Sequence, residues 1–249
     1  MIEFFSIPML VIVATFFMAG LVKGVTGMGL PTLSMGVLGA FMSPVIAASL
    51  LIIPSFVTNV WQLLSGPSLG ILIRRLWLMM VCILLGTLAG TWLLTHANTA
   101  WTTTALGSAL VIYALHGLFA RPLSIAAHLE GILSPIIGAI TGIISGSTGV
   151  FVIPAVPYLQ ALGLQKDDLI QALGLSFTIS TIALAAGLTM GGQFNAGDLT
   201  LSTLAIIPAL LGMKVGTLIR ARISILTFRR WFLIFLGLLG LELISRMIR

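Results

Sequence analysis

The sequence predicts an all-α, polytopic membrane protein built from two related halves. Its residues are 59% hydrophobic and 7% charged, with a mean hydropathy of +1.19, whereas a soluble domain carries roughly a quarter charged residues. Apolar runs of about the length that crosses a bilayer, roughly 20 residues, recur along the chain. They lie near 7–42, 45–65, 76–95, 101–119, 131–162, 169–190, 199–219 and 229–246. The first and fifth are too long for one crossing. Each half is therefore expected to hold a glycine-broken, hairpin-like segment and three transmembrane helices.

The two over-long runs resemble each other, which indicates a duplication. They align without gaps at a shift of 118 residues, which places Gly20 and Gly24 on Gly138 and Gly142. Later features repeat in the same order: Ser55-Phe56 with Ser176-Phe177, and Gly86, Gly90 and Thr91 with Gly212, Gly216 and Thr217. Small residues four apart are common where membrane helices pack, but their shared order favours duplication. Residues 1–120 form the first predicted repeat and residues 121–249 the second.

The charges of the loops indicate how the two halves are oriented. If every apolar run crossed once, the basic loops of the two halves would face opposite sides, against the positive-inside tendency. If the first and fifth runs each enter and return, both basic loops become cytoplasmic and the second half is inverted. The residues then on the cytoplasmic side are Arg74, Arg75, Arg121, Lys166, Arg220, Arg222, Arg229 and Arg230, while Arg246 and Arg249 disagree. The sequence therefore predicts an inverted repeat.

The interrupted segments are the predicted binding site. Matched breaks in two inverted halves mark the substrate site of a transporter, because non-helical backbone at membrane depth must be buried in protein or line a cavity. Pro31 suits the first turn of a returning helix, and Ser147 and Thr148 are expected to cap the equivalent helix of the second half. Two helix N-termini near the midplane would favour an anion. The alternative is that the glycines only allow close helix packing.

Polar residues inside the apolar runs complete the predicted site. Lys23 is either an anion ligand or a side chain that snorkels to the interface, and Lys214 is open between the same two roles. Ser55, Thr58, Asn59 and Gln62 share one helical face, which either binds ligand or joins helices by hydrogen bonds. The predicted substrate-binding residues are Lys23, Gly24, Thr26, Gly27, Gly29, Asn59, Gln62, Ser145, Ser147, Thr148, Gly149, Ser176 and Lys214.

Several classes of protein are disfavoured by what the sequence lacks. It has no HExxH, paired-acid or Ser/His/Asp pattern, no Walker motif, and one cysteine, Cys82. We therefore expect no enzyme, no metal and no cofactor. The net charge is +6, but the basic residues lie between apolar runs, as in the cytoplasmic loops of a membrane protein. No nucleic-acid partner is therefore expected. An importer, a carboxylate carrier and a membrane scaffold without substrate remain as alternatives.

The two glycine-broken segments resemble the repeated motif of the TauE/SafE sulfite exporter family. Residues 138–154 match the family spacing up to Pro154, with Ser145, Ser147 and Thr148 at glycine positions, and the first segment matches through Gly29. The resemblance implies a carrier of small sulfur-containing anions, sulfite or organosulfonates such as sulfoacetate, moved mostly outward. It also implies a multi-pass protein of the inner cell membrane, whose partners are the anion and the bilayer, and it leaves a homodimer open.

Overall fold

The computed structural model describes residues 7–121, 123–194 and 196–247, and the regular secondary structure of this part of the chain is all helical. Arg249, whose charge disagrees with the predicted orientation, lies outside it, as do the extreme ends of both predicted repeats. The first half holds α1 (Ile7–Thr26), α2 (Leu30–Phe41), α3 (Pro44–Leu64), α4 (Leu69–His96) and α5 (Thr99–Phe119). A short 3-10 turn (Ala127–Leu129) leads to α6 (Glu130–Thr148), α7 (Ala155–Ala161), α8 (Lys166–Met190), α9 (Ala196–Leu204), α10 (Ile206–Arg220) and α11 (Ile225–Ser245).

The described chain contains several helices that are suited to crossing a membrane. Seven segments of it are long and apolar enough to cross a bilayer. They are Met9–Thr26, Pro44–Leu64, Leu69–His96, Thr99–Phe119, Ala127–Thr148, Lys166–Met190 and Gly197–Arg220. Helix α11 is also 21 residues long. It is not among these seven segments because it carries three charged residues, Arg229, Arg230 and Glu242. The prediction of an all-α multi-pass membrane protein is confirmed.

Both over-long runs are broken at glycines, although not at their centres. The first breaks at Gly27 and Gly29, whose φ values of 78° and 103° favour glycine, and α2 then begins with Pro31 in its first turn, as predicted. The second breaks at Gly149, with φ 70°. The two arms of each predicted hairpin-like segment are unequal: α1 has 20 residues and α6 has 19, so each is about 30 Å long. Within these two runs, the short helices are the returning ones, α2 and α7.

Each broken helix packs tightly against a helix of the other half. A Cβ added to Gly20 would lie 2.1 Å from the carbonyl oxygen of Ala209, and one added to Gly212 would lie 2.0 Å from that of Phe17. The equivalent pair, α4 and α6, is as close: a Cβ on Gly142 would lie 2.4 Å from the oxygen of Ile83. These contacts explain why the helices do not break at the earlier glycines of each run. The glycines there admit a neighbouring backbone while keeping helical geometry.

The direction of each packed pair follows from the order of its contacts. Gly20 meets Ala209 and Gly24 meets Met213, so α1 and α10 run parallel, and α4 and α6 do the same. In contrast, α3 and α8 run antiparallel, since Gln62 bonds to Ile170 while Asn59 bonds to Thr181. Helices α5 and α11 are antiparallel as well. A two-fold axis in the membrane plane would relate the halves in this way, and the inverted repeat stays a prediction that these directions support.

The same directions gather most basic residues at one end of the bundle. That end carries Arg74, Arg75, Arg121, Lys166, Arg220, Arg222, Arg229 and Arg230, whereas Arg246 lies at the other end with Asp198 and Glu242. By the positive-inside tendency we expect this first end to be the cytoplasmic one. We call it the basic end below.

Candidate functional site

Lys23 is a buried cation one turn before the first break. It lies on α1 with 3% of its surface exposed, and its Nζ donates to Thr58 Oγ1 at 3.1 Å and to Asn59 Oδ1. Both acceptors are neutral and belong to α3. The ion pairs formed by described residues join Arg75 to Glu130 and Arg246 to Glu242, so no described carboxylate pairs with Lys23. Its ammonium therefore points into the protein and does not snorkel to the surface.

The polar face of α3 joins the first break to α8. Asn59 Nδ2 donates to Thr181 Oγ1 at 3.2 Å, and Gln62 Nε2 donates to the carbonyl oxygens of Gly27 at 3.0 Å and Ile170 at 2.9 Å. This face is buried in protein, and it forms helix–helix hydrogen bonds. Since the same residues hold Lys23, the two roles that the sequence left open for this face are not exclusive.

Several buried hydroxyl groups near this face have no hydrogen-bond partner in the described chain. They are Ser55 on α3 and Ser176 and Ser180 on α8, each fully buried. Ser55 lies one helical turn before Asn59, and Ser180 adjoins Thr181. An unpartnered polar group buried in a membrane protein is costly, so these three hydroxyls are unusual positions in this region.

The second half carries hydroxyls where the first half carries Lys23 and Asn59. The shift of 118 places Thr141 at the position of Lys23, and the shift of 121 that aligns Ser55 with Ser176 places Ser180 at that of Asn59. Thr141 Oγ1 is also buried and unpartnered. Among the described residues, the two aligned segments therefore carry a buried cationic side chain in the first half alone, at Lys23.

The hydroxyls of the second break bond to their own helix, which corrects the predicted capping of α7. Ser147 Oγ donates to Ile143 at 2.8 Å, Thr148 Oγ1 donates to Ile144 at 2.6 Å, and Ser145 Oγ reaches only Val150 at 3.5 Å. Helix α7 begins after Pro154 without a side-chain cap. The break runs from 149 to 154, so its six residues separate these hydroxyls from α7. Gly149 instead lies against Met35 of α2.

The other predicted site residues divide between the first break and the surface. Gly24 packs against α10, and Thr26 Oγ1 closes the break by donating to the oxygens of Val22 and Met28 at 2.9 and 2.8 Å. Lys214, in contrast, is exposed on α10. The structure therefore brings together Lys23, Thr26, Gly27, Gly29, Asn59 and Gln62, and it separates Lys214 from them.

Sequence reasoning missed two polar residues of this region, Gln171 and Thr141. Gln171 is fully buried on α8; its Oε1 accepts from the Ser68 amide, and its Nε2 donates to the oxygens of Leu63 and Gly66 at 2.8 Å. It ties α8 to the loop that follows α3. A lone amide side chain inside the run 169–190 was the signal available for it. The signal for Thr141 was its alignment with Lys23.

Each returning helix is held at its C-terminal end by an arginine. At the basic end, Arg75 of α4 pairs with Glu130 of α6 (Nε to Oε2, 2.9 Å) and donates to Leu162 at the end of α7, at 3.4 Å. We call this the inner latch. At the opposite end, Arg246 pairs with Glu242 of α11 at 2.7 Å and donates to Ala40 of α2 at 2.7 Å. We call this the outer latch.

Comparisons with known proteins agree with this architecture. The family model described as Sulfite exporter TauE/SafE matches residues 12–243, which is nearly the whole chain. No curated protein and no solved structure matches it. The homodimer left open by the sequence gains no support from these comparisons. The resemblance of the glycine-broken segments is confirmed: the chain belongs to the sulfite exporter TauE/SafE family of membrane transporters.

Proposed function

We propose that this chain is a secondary transporter that exports a small sulfur oxyanion, either sulfite or an organosulfonate such as sulfoacetate. The observation that carries the proposal is the Lys23 ammonium, which is buried with two neutral acceptors and no described carboxylate. A charge in a membrane segment costs roughly 2.5–3.5 kcal/mol on insertion scales. A bound anion would offset this cost by pairing with the Lys23 ammonium.

The hydrogen-bonding capacity of the site suits an oxyanion. An ammonium group has three donors, and Lys23 uses two of them on Thr58 and Asn59. The third is available to a sulfite or sulfonate oxygen. The unpartnered hydroxyls of Ser55 and Ser176 lie on the two helices that enclose this region and supply donors for the remaining oxygens.

We infer alternating access from the two latches and the helix directions. The inner latch holds α7 at the basic end and the outer latch holds α2 at the other. Release of one latch at a time would open the site to one side while the other side stays closed. In an inverted repeat the two openings are equivalent movements of equivalent elements.

The proposed outward direction of transport is supported by the membrane potential. A potential that is negative inside drives an anion outward by about 2.3 kcal/mol per charge per 100 mV. An inner-membrane carrier of a monovalent or divalent oxyanion then exports without an energy source of its own. We propose an inner-membrane location, because that membrane carries such a potential.

The test is uptake of labelled sulfite and sulfoacetate by inside-out vesicles that contain the full chain. We expect Lys23→Met to lower the initial rate at least about a hundredfold, which is roughly 2.7 kcal/mol. Lys214→Met is the matched control, because it removes an exposed lysine from a neighbouring helix and is expected to transport at near the normal rate.

The other outcomes distinguish the alternatives. Normal uptake by Lys23→Met at equal expression contradicts the site. Counterflow driven by small carboxylates and not by sulfonates identifies a carboxylate carrier, and uptake only in right-side-out vesicles identifies an importer. A folded protein that moves no anion in either orientation is a scaffold.

A further inference from the structure

A groove on the membrane-facing side of the second half is large enough to hold a ligand. It lies between α5, α6 and α7 and encloses about 620 Å³, which is within the range of ligand pockets, roughly 300–1,000 Å³. Its walls are almost wholly apolar and include Ile112 of α5 and Ile140 and Ile144 of α6. Ile112 is 57% exposed and Ile140 is 44% exposed, so the groove opens towards lipid.

The groove exists because the two returning helices differ in length. Helix α2 has 12 residues and packs against both α5 and α11. Its counterpart α7 has seven residues and packs against α6 and α8. The space beside α5 is therefore left open in the second half.

A second, polar cavity continues the groove at the basic end. It encloses about 180 Å³ and shares His116, Leu123, Pro157 and Ala161 with the groove. Arg121, which follows α5, and Arg229, in the first turns of α11, also line it. The two cavities form one site with an apolar body and a basic head.

The two arginines lack an acidic partner in the part of the chain that the structure describes. Neither belongs to the ion pairs formed there, and Arg229 Nε is buried without any hydrogen-bond acceptor. A partly buried guanidinium without a counter-charge is unfavourable, and its fork of donors matches a phosphate. Basic pockets between membrane helices on the cytoplasmic side bind anionic lipid head groups.

We propose that this site binds one anionic phospholipid. Its phosphate lies between Arg121 and Arg229, and one acyl chain follows the groove along Ile112, Ile140 and Ile144. A lipid is favoured over a soluble anion because the basic cavity continues into an apolar groove open to the membrane. The proposal does not depend on which anion is transported.

The test is native mass spectrometry of the full chain purified from vesicles of equal phosphatidylglycerol and phosphatidylcholine. The wild type is expected to retain one phosphatidylglycerol. Arg121→Gln with Arg229→Gln is expected to lower the retained fraction about tenfold or more, since each basic contact contributes to head-group affinity. Arg74→Gln with Arg222→Gln is the matched control, because it removes the same charge from exposed positions at the same end and is expected to retain the lipid.

A second variant keeps the arginines and fills the groove. Ser108→Trp, on the α5 wall, is expected to lower retention to a similar degree, and it decides the matter if the arginine variant does not fold. The proposal is overturned if both folded variants keep the lipid, or if phosphatidylcholine is retained equally. It is also overturned if inorganic phosphate alone raises the melting temperature of the detergent-solubilised protein as much as phosphatidylglycerol does.

Discussion

The two halves share one framework but differ in what each break carries. The first break is a three-residue glycine turn that follows a buried lysine and returns through a 12-residue helix. The second is a six-residue stretch that follows Thr141 at the lysine's position and returns through a seven-residue helix. Packing is therefore repeated and charge is not. We infer that the helix packing is repeated in both halves, while the proposed anion site rests on one buried cationic side chain, Lys23 of the first half.

Exchange of the two equivalent residues is expected to have the largest effect on transport. Lys23→Thr makes the first half resemble the second, and we expect it to lower sulfonate uptake at least about a hundredfold, or roughly 2.7 kcal/mol. Addition of Thr141→Lys is expected not to restore uptake, because Ser180 stands where Asn59 supplies the acceptor for Lys23. Uptake by proteoliposomes, normalised to folded protein, measures both variants.

Recovery of transport by the double exchange would contradict the assignment of the site to the first half. It would mean that the two breaks are chemically interchangeable. Lys214→Thr provides the matched control for loss of a lysine, because this side chain is exposed on α10.

The close helix pairs should respond equally in both halves. Gly24 of α1 and Gly142 of α6 are equivalent, and a Cβ at either would lie 2.2 to 2.4 Å from a backbone oxygen of the neighbouring helix. Gly24→Ala and Gly142→Ala should each destabilise the protein by about 1–3 kcal/mol, the range for an overpacked contact. Thermal unfolding in detergent measures the change.

Two exposed glycines serve as controls for this prediction. Gly70 and Gly131 lie in helices with no atom within 4 Å of an added Cβ, so alanine there should leave stability unchanged or raise it slightly. A large loss at Gly24 with none at Gly142 would contradict the equivalence of the α1–α10 and α4–α6 pairs.

The sequence predicted local features better than contacts between distant residues. The breaks, Pro31 in the first turn of α2 and the buried face of α3 follow from glycine conformations, proline chemistry and helical periodicity. The capping by Ser147 and Thr148 was predicted wrongly, because Gly149 packs against Met35 and α7 begins only after Pro154. The bond from Lys23 to Asn59 spans 36 residues, and no local pattern specifies which helix faces α1. The latches are equally non-local.

The two latches should produce the smallest effects, and loss of each latch should raise the affinity for the anion on a different side of the membrane. Both arginines are partly exposed, with 36% and 46% of their side chains accessible, so each ion pair contributes at most about 1 kcal/mol. Arg75→Gln frees α7 at the basic end and favours the state open to the cytoplasm. Arg246→Gln frees α2 and favours the state open to the outside.

A ligand binds better when its binding-competent state is more populated. The apparent affinity for the anion should therefore rise up to about fivefold in inside-out vesicles for Arg75→Gln, and in right-side-out vesicles for Arg246→Gln. Arg222→Gln is the control, because it removes an exposed arginine at the basic end. It should leave the apparent affinity unchanged in both vesicle orientations. If both latch variants change affinity on the same side, the latches do not act as alternate gates, whereas the role of Lys23 would stand, because it rests on separate contacts.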